Sequence, residues 1–180
     1  MWRWRWWNQW AEEHSCPPAQ KGGVLDSGET GIEGVTGIGM GQRIYLDTSV
    51  YNRPFDDQTQ PRIWLETLAF TVILQMVESG SLELVSSSVL EYENSRNPLR
   101  LRREWVSRCL KLASHHQAVD EGIKRRAQEL EQQGLKAVDA LHVACAEAAE
   151  AVYFLTCDDR VVRRYRGKKL QVLNPVNFVM

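Results

Sequence analysis

Three features of the 180-residue sequence predict an α/β fold with a parallel sheet covered by helices on both faces. Short apolar runs alternate with longer segments at helical spacing. Glycines, or an acid followed by hydroxyl residues, separate them. Acidic residues then recur at the element boundaries, where an open parallel sheet puts its ligand-binding rim, beyond the carboxyl ends of the strands.

The elements follow in order. Ile44–Leu46 is an apolar strand that stops at Asp47-Thr48-Ser49. Tyr51 to Gln60 reads as a polar, proline-containing loop. Pro61 sits where a first helical turn tolerates proline, and Ile63, Trp64, Leu65, Leu68, Val72, Ile73 and Met76 form a broad apolar face at helical spacing. Gly80 stops that helix, and Leu82–Ser86 is the second strand. A helix starts near Ser87-Ser88, a further one carries Leu99, Leu101, Trp105, Val106 and Leu110, and another runs from about Asp120 to Gln133, closed by Gly134. Ala137–Ala151 is an alanine-rich helix whose small faces at Ala137, Ala140, Ala144 and Ala148 allow close approach to a sheet. Val152–Leu155 is a strand, Asp159–Arg166 a short helix and Leu170–Leu173 a last strand. His115-His116 reads as a solvated helix end.

Residues 1–40 differ from the rest. Trp2, Trp4, Trp6 and Trp7 interleave with Arg3 and Arg5, and six glycines follow between Gly28 and Gly41, without helix or strand periodicity. The segment is expected to be a disordered, low-complexity leader. Its tryptophan and arginine head fits an adhesive segment for lipid or nucleic acid. The preferred reading is a mis-assigned start, with translation beginning at Met40. The domain proper is 41–180.

The charge balance, 22 Lys+Arg against 23 Asp+Glu, neither demands nor forbids nucleic acid. Cys16, Cys109, Cys145 and Cys157 lack the C-x-x-C spacing of zinc or redox sites. They fit a reduced, cytoplasmic setting, with Cys145 and Cys157 as small core residues. No apolar run approaches the ~20 residues that span a bilayer, so no membrane partner is expected.

The chemistry rests on four acids, Asp47, Glu91, Asp139 and Asp158. Asp47 directly follows a buried strand, where a carboxylate is costly unless something binds it. Glu91 fits metal binding and, equally, a capping box written Ser88-Val89-Leu90-Glu91. Asp139 complements a helix dipole, yet Val138 and Ala140-Leu141 flank it. Asp158-Asp159 reads as a site acid beside a helix cap. Two carboxylates about 4 Å apart repel by roughly 4 kcal/mol at an effective dielectric near 20. A cluster therefore protonates or holds a cation. All-oxygen ligands favour Mg²⁺ or Mn²⁺ over Zn²⁺. Thr48, Ser49 and Thr156 are the hydroxyls placed to orient water or phosphate beside the acids. For His142, one turn after Asp139, a packed core histidine is preferred to a proton shuttle.

Leu46-Asp47-Thr48-Ser49, Ser88-Val89-Leu90-Glu91, Ala137-Val138-Asp139-Ala140-Leu141-His142-Val143-Ala144 and Leu155-Thr156-Cys157-Asp158-Asp159, in that order, resemble the PIN domain, and within it the bacterial VapC toxin type. The resemblance implies a Rossmann-like three-layer α/β/α sandwich with a central parallel sheet. It implies a Mg²⁺- or Mn²⁺-dependent endoribonuclease, the toxin of a type II toxin–antitoxin pair. Asp47, Glu91, Asp139 and Asp158 would be its catalytic and metal-binding quartet, with Thr48, Ser49, Thr156 and Asp159 supporting. Asp158 is preferred to Asp159 because it matches Thr-x-Asp. RNA would be the substrate, a cognate antitoxin a partner and a homodimer the common assembly. Basic residues beside the acidic motifs, among them Arg53, Arg96, Arg103 and Arg160, would form a compensating rim for RNA. A catalytically silent PIN-like module that binds RNA or protein is the alternative. A phosphoacceptor receiver domain ranks far lower. It needs a phosphorylatable acid after a central strand and a lysine after the last, whereas here Ser86-Ser87-Ser88 and Asn174-Pro175 occupy those places.

Overall fold

The computed structural model describes residues 41–180; the leader assigned to 1–40 lies outside the described residues. The element order is β1 (Gln42–Leu46), α1 (Thr48–Asn52), a 3₁₀ turn (Arg53–Phe55), α2 (Pro61–Glu78), β2 (Leu82–Ser87), α3 (Ser88–Arg96), α4 (Arg100–Leu110), β3 (His115–Gln117), α5 (Glu121–Gln132), α6 (Ala137–Ala148), β4 (Tyr153–Leu155), α7 (Asp159–Arg164), β5 (Gln171–Leu173) and α8 (Pro175–Val179). The five strands form one sheet in the order β3-β2-β1-β4-β5, with every pairing parallel. Helices cover both faces, giving the expected three-layer α/β/α sandwich.

Sheet order reverses at β1. Strand β2 lies on one side of it and β4 on the other, so the crevice beyond their carboxyl ends is a topological switch point. The pairing Leu46↔Leu155 puts the next residues, Asp47 and Thr156, side by side, and the Asp47 amide donates to the Leu155 carbonyl at 2.9 Å. Ile44, Tyr45 and Leu46 are wholly buried, as are Leu84, Val85 and Leu155. That is why these strands read as continuous apolar runs rather than alternating ones.

Local chemistry explains the helix ends. Pro61 occupies the first turn of α2, and the chain leaves that helix through Gly80 at φ +77°, a left-handed conformation that favours glycine. Helix α5 is capped by Asp120, whose Oδ1 accepts the Ile123 amide at 2.8 Å, and Gly134 closes it at φ +99°.

Several expectations need correction. Part of the loop foreseen at Tyr51–Gln60 is helical, because α1 and the 3₁₀ turn follow β1 directly. His115-His116 is no helix end but an edge strand pairing with Val85-Ser86. Its polar letters hide it, since only one side of it is paired. The face foreseen for α2 is only partly the inward one: Ile73 is wholly buried and Met76 packs against the core, but the other residues foreseen on that face do not. Trp64, Leu65, Leu68 and Val72 are exposed, while Thr67, Ala69, Phe70, Ile73, Val77 and even Glu66 face inward. Helix α6 ends at Ala148, and of the four alanines foreseen against the sheet, Ala137, Ala140, Ala144 and Ala148, only Ala140 and Ala144 are buried.

Glu66 is tolerated inside because it is clamped. Arg62 Nε and Asn174 Nδ2 donate to its Oε1 at 2.9 and 2.6 Å, and Arg53 Nε forms an ion pair with Oε2 at 2.7 Å. Arg62 also holds Asp159 through both terminal nitrogens and reaches the Cys157 carbonyl. The clamp thereby ties α2 to the loop that follows β4. Glu66→Ala would leave Arg53 without its buried counter-charge and is expected to destabilise the protein by about 3 kcal/mol, read from the urea midpoint at pH 7.

Candidate active site

Asp47 comes from the end of β1, where it is the N-cap of α1 but makes no side-chain capping bond. Its carboxylate turns instead to two hydroxyls. Ser49 Oγ donates to Oδ2 at 2.5 Å and Thr156 Oγ1 donates to the same oxygen at 2.8 Å. Both bonds fall on Oδ2. Oδ1 accepts no hydrogen bond from the described residues. Asp47 itself is 9% exposed.

Asp158 caps α7. Its Oδ1 accepts the Arg160 amide at 2.8 Å, and the Arg160 guanidinium reaches both of its oxygens, closest at 2.8 Å. These Arg160 bonds outweigh partial burial and hold its carboxyl below the usual carboxylate range. Asp139 lies in the first turn of α6 and makes no hydrogen bond or ion pair among the described residues. Burial first, and then the facing charges of Asp47 and Asp158, push its carboxyl up. Three of the four predicted acids therefore lie close enough to interact, and Asp139 is the one with no hydrogen bond or ion pair among the described residues.

Glu91 does not join them. Its carboxylate is exposed and lies 3.7 Å from His116 Nδ1, beside the edge strand. The capping-box reading does not hold either. The N-cap of α3 is Ser87, whose Oγ accepts the Leu90 amide, so Glu91 sits one place beyond the box position. The acid in the cleft is Glu93. Two residues on a helix are about 200° apart, so Glu91 and Glu93 face opposite ways. Glu93 Oε2 takes the Thr48 hydroxyl and lies 2.6 Å from His142 Nε2. Burial raises its carboxyl, but the hydrogen bonds from His142 and Thr48 bring it net below the usual value. The sequence carried a signal for this choice. Val89, Leu90 and Asn94 are the buried side of α3, and Glu93 falls at helical spacing on that side, whereas Glu91 does not.

The supporting residues divide. Thr48, Ser49 and Thr156 all bond site carboxylates, and Ser49 Oγ also accepts the Cys157 amide. Asp159 points away, held by Arg62. The Cys145 and Cys157 thiols are both pushed up to about 12 by burial, as core residues rather than nucleophiles.

Among the described residues, no three His, Cys, Asp or Glu groups are arranged as a ready-made metal cage. The donor set nevertheless suits a hard cation. Mg²⁺ ordinarily takes one or two carboxylates and keeps several waters, and Asp47 Oδ1, the Asp139 carboxylate and Glu93 Oε1 accept no hydrogen bond from the described residues.

Among comparisons with known proteins, the family model for the PIN domain matches residues 44–168. No curated protein matches the chain. A solved structure, VapBC2 from Rickettsia felis bound to a DNA fragment from its promoter, is similar at 16% identity and a TM-score of 0.46, covering 74% of this chain and 98% of that one. Among the described residues no helix is long and apolar enough to cross a membrane.

The raised carboxyl of Asp139 has a consequence for stability. Above about pH 4 the unfolded chain ionises this group more readily than the folded one, so the folded state carries a penalty that fades as pH falls through the raised carboxyl's range toward that value. Asp139→Asn is expected to raise the melting midpoint of the metal-free protein at pH 7 by about 1–3 °C, with the gain shrinking toward pH 4. Calorimetry across that range checks it.

Proposed function

The chain belongs to the PIN domain family, and from that membership and the carboxylate cleft we propose that it is a Mg²⁺- or Mn²⁺-dependent endoribonuclease. The observation that carries the reading is the convergence of Asp47, Asp139 and Asp158 beyond the carboxyl ends of β1 and β4, with Asp139 destabilised by its neighbours. Asp47 and Asp139 would hold the cation, with Asp158 drawn in from Arg160. A bound divalent ion supplies charge stabilisation of the phosphoryl oxygens and lowers the pKa of its water toward neutrality.

The side chains do the rest. Ser49 and Thr156 fix the Asp47 carboxylate so that its free oxygen faces the cleft. Glu93, ionised and anchored through one oxygen, offers the other as a hydrogen-bond acceptor for the attacking water. Arg160, paired to Asp158, is suited to a backbone phosphate once Asp158 is engaged elsewhere. Arg53, foreseen as part of the RNA rim, is committed to Glu66 and Asp56 instead.

The VapC-like toxin role, with a cognate antitoxin and a homodimer, belongs to the same proposal and rests on the order of the motifs. The exposed apolar residues Trp64, Leu65, Leu68 and Val72 on α2 support a protein interface. Growth arrest on induced expression in a bacterial host, relieved by Asp47→Asn, tests the toxin role.

The activity is tested by cleavage of RNA with Mg²⁺ or Mn²⁺. Asp47→Asn and Asp139→Asn are each expected to reduce the rate by about 10²-fold or more, and chelation to abolish it. Glu93→Gln is expected to lose on the order of 10²-fold, while Glu91→Gln stays within about twofold of the parent. Equal loss in both glutamate variants would contradict the assignment of Glu93. RNA binding that survives chelation, without turnover, would mark the chain as the silent module.

A further inference from the structure

We propose that His142 is a positioning residue, itself fixed by Tyr45, that commits one oxygen of Glu93 to the protein and leaves the other for the cleft. The inference rests on the nuclease reading for its consequence, but its geometry stands independently. Four side chains from four elements form an unbroken chain. Ser87 Oγ lies 2.6 Å from the Tyr45 hydroxyl, that hydroxyl lies 2.8 Å from His142 Nδ1, and His142 Nε2 lies 2.6 Å from Glu93 Oε2. Tyr45 and Ser87 are wholly buried and His142 is 1% exposed, so water does not satisfy these groups.

The direction of the chain follows from its ends. An ionised carboxylate only accepts, so Nε2 carries the proton that meets Glu93. In the neutral imidazole Nδ1 then accepts, and the Tyr45 hydroxyl is its donor. The tyrosine oxygen in turn accepts from Ser87, whose own oxygen accepts the Leu90 amide at 3.3 Å. Each hydroxyl in the line donates in one direction and accepts from the other, so the senses are compatible throughout.

The ring of Tyr45 has little freedom. It stacks on Phe154 with centroids 5.5 Å apart and planes 12° apart, and it meets His142 edge-on at 5.8 Å. A core histidine that only fills space needs no bond to a carboxylate of the cleft. Here both hydrogen bonds to Glu93, from His142 and from Thr48, fall on Oε2, so Oε1 is the oxygen left over. Thr48 is the residue after Asp47. The same pair of bonds therefore sets Glu93 in register with the strand-end acid.

The test compares the full chain with His142→Leu, His142→Gln and Tyr45→Phe. Glutamine keeps an amide N–H near the position of Nε2, whereas leucine removes both ring nitrogens. With Mn²⁺ and RNA, His142→Leu is expected to lower kcat by about 10–100-fold with KM within about threefold, and His142→Gln to recover most of the loss. Tyr45→Phe is expected to fall between. Imidazole ¹⁵N spectra at pH 7 give the second readout. The parent is expected to show Nε2 protonated and Nδ1 bare, and Tyr45→Phe to weaken that preference. A fully active His142→Leu, a His142→Gln as impaired as His142→Leu at equal melting temperature, or a parent spectrum with any other protonation pattern overturns the proposal. If the parent cleaves no RNA while Asp47→Asn is equally silent, the nuclease reading fails, and the spectra alone still decide the placement of Glu93.

Discussion

The register between β1 and β4 is the constraint on which the site depends. Because Leu46 pairs with Leu155, the residues after both strands emerge together, and the Thr156 hydroxyl lands on Asp47 at 2.8 Å. Slipping a parallel pair by one residue would turn every side chain of β4 to the other face of the sheet. Thr156 would then leave Asp47, and Phe154 would leave Tyr45. The packing core and the polar cleft are thus specified by the same few backbone hydrogen bonds. The wholly buried Ile44, Tyr45 and Leu46 make that register expensive to change.

A second regularity is built on that register. Asp47 and Glu93 are each anchored through one oxygen, Oδ2 by Ser49 and Thr156, Oε2 by Thr48 and His142. Successive residues of one short helix, Thr48 and Ser49, serve the two carboxylates. An acid anchored in this way cannot swing away from the cleft. It also does not have both oxygens neutralised by the protein. Such half-commitment is what a site for an external cation or water requires, since a carboxylate fully satisfied internally has nothing left to offer.

Much of this was legible in the letters, and the exceptions have physical causes. Central strands announce themselves because parallel strands buried on both faces are apolar throughout, so β1, β2 and β4 were visible. The edge strand His115–Gln117 was not, because it pairs on one side only and needs no apolar run. The outward apolar face of α2 misled the reading of its orientation, since periodicity gives the width of a stripe and not what covers it. Asp47, Asp139 and Asp158 were found by their place at strand and helix ends. Glu93 was missed because Glu91, one turn past β2, was matched to the motif Ser88-Val89-Leu90-Glu91, and an N-cap one residue earlier, at Ser87, changes which positions of α3 turn inward. Arg62 and Glu66, far from any motif, were invisible as a clamp because their role is set wholly by tertiary contact.

The distribution of counter-charges within the cleft then explains why Asp139 is its sensitive point. Asp158 is neutralised by Arg160, Glu93 is bonded by His142, and Asp47 receives two hydroxyl protons. Asp139 receives no hydrogen bond from the described residues, and burial together with the facing charges of Asp47 and Asp158 pushes its carboxyl up, with Lys136 offsetting only part of the rise. Folding accepts this local repulsion because it is small beside the burial of the β1–β4 core. On the nuclease reading, the same repulsion becomes attraction for a divalent cation, so affinity and instability in the empty cleft are two signs of one electrostatic term. Relieving it with a fixed positive side chain would stabilise the fold and remove the reason for a cation to bind. Arg160 represents half of that solution. It is tied to Asp158, yet its side chain is largely exposed and therefore displaceable.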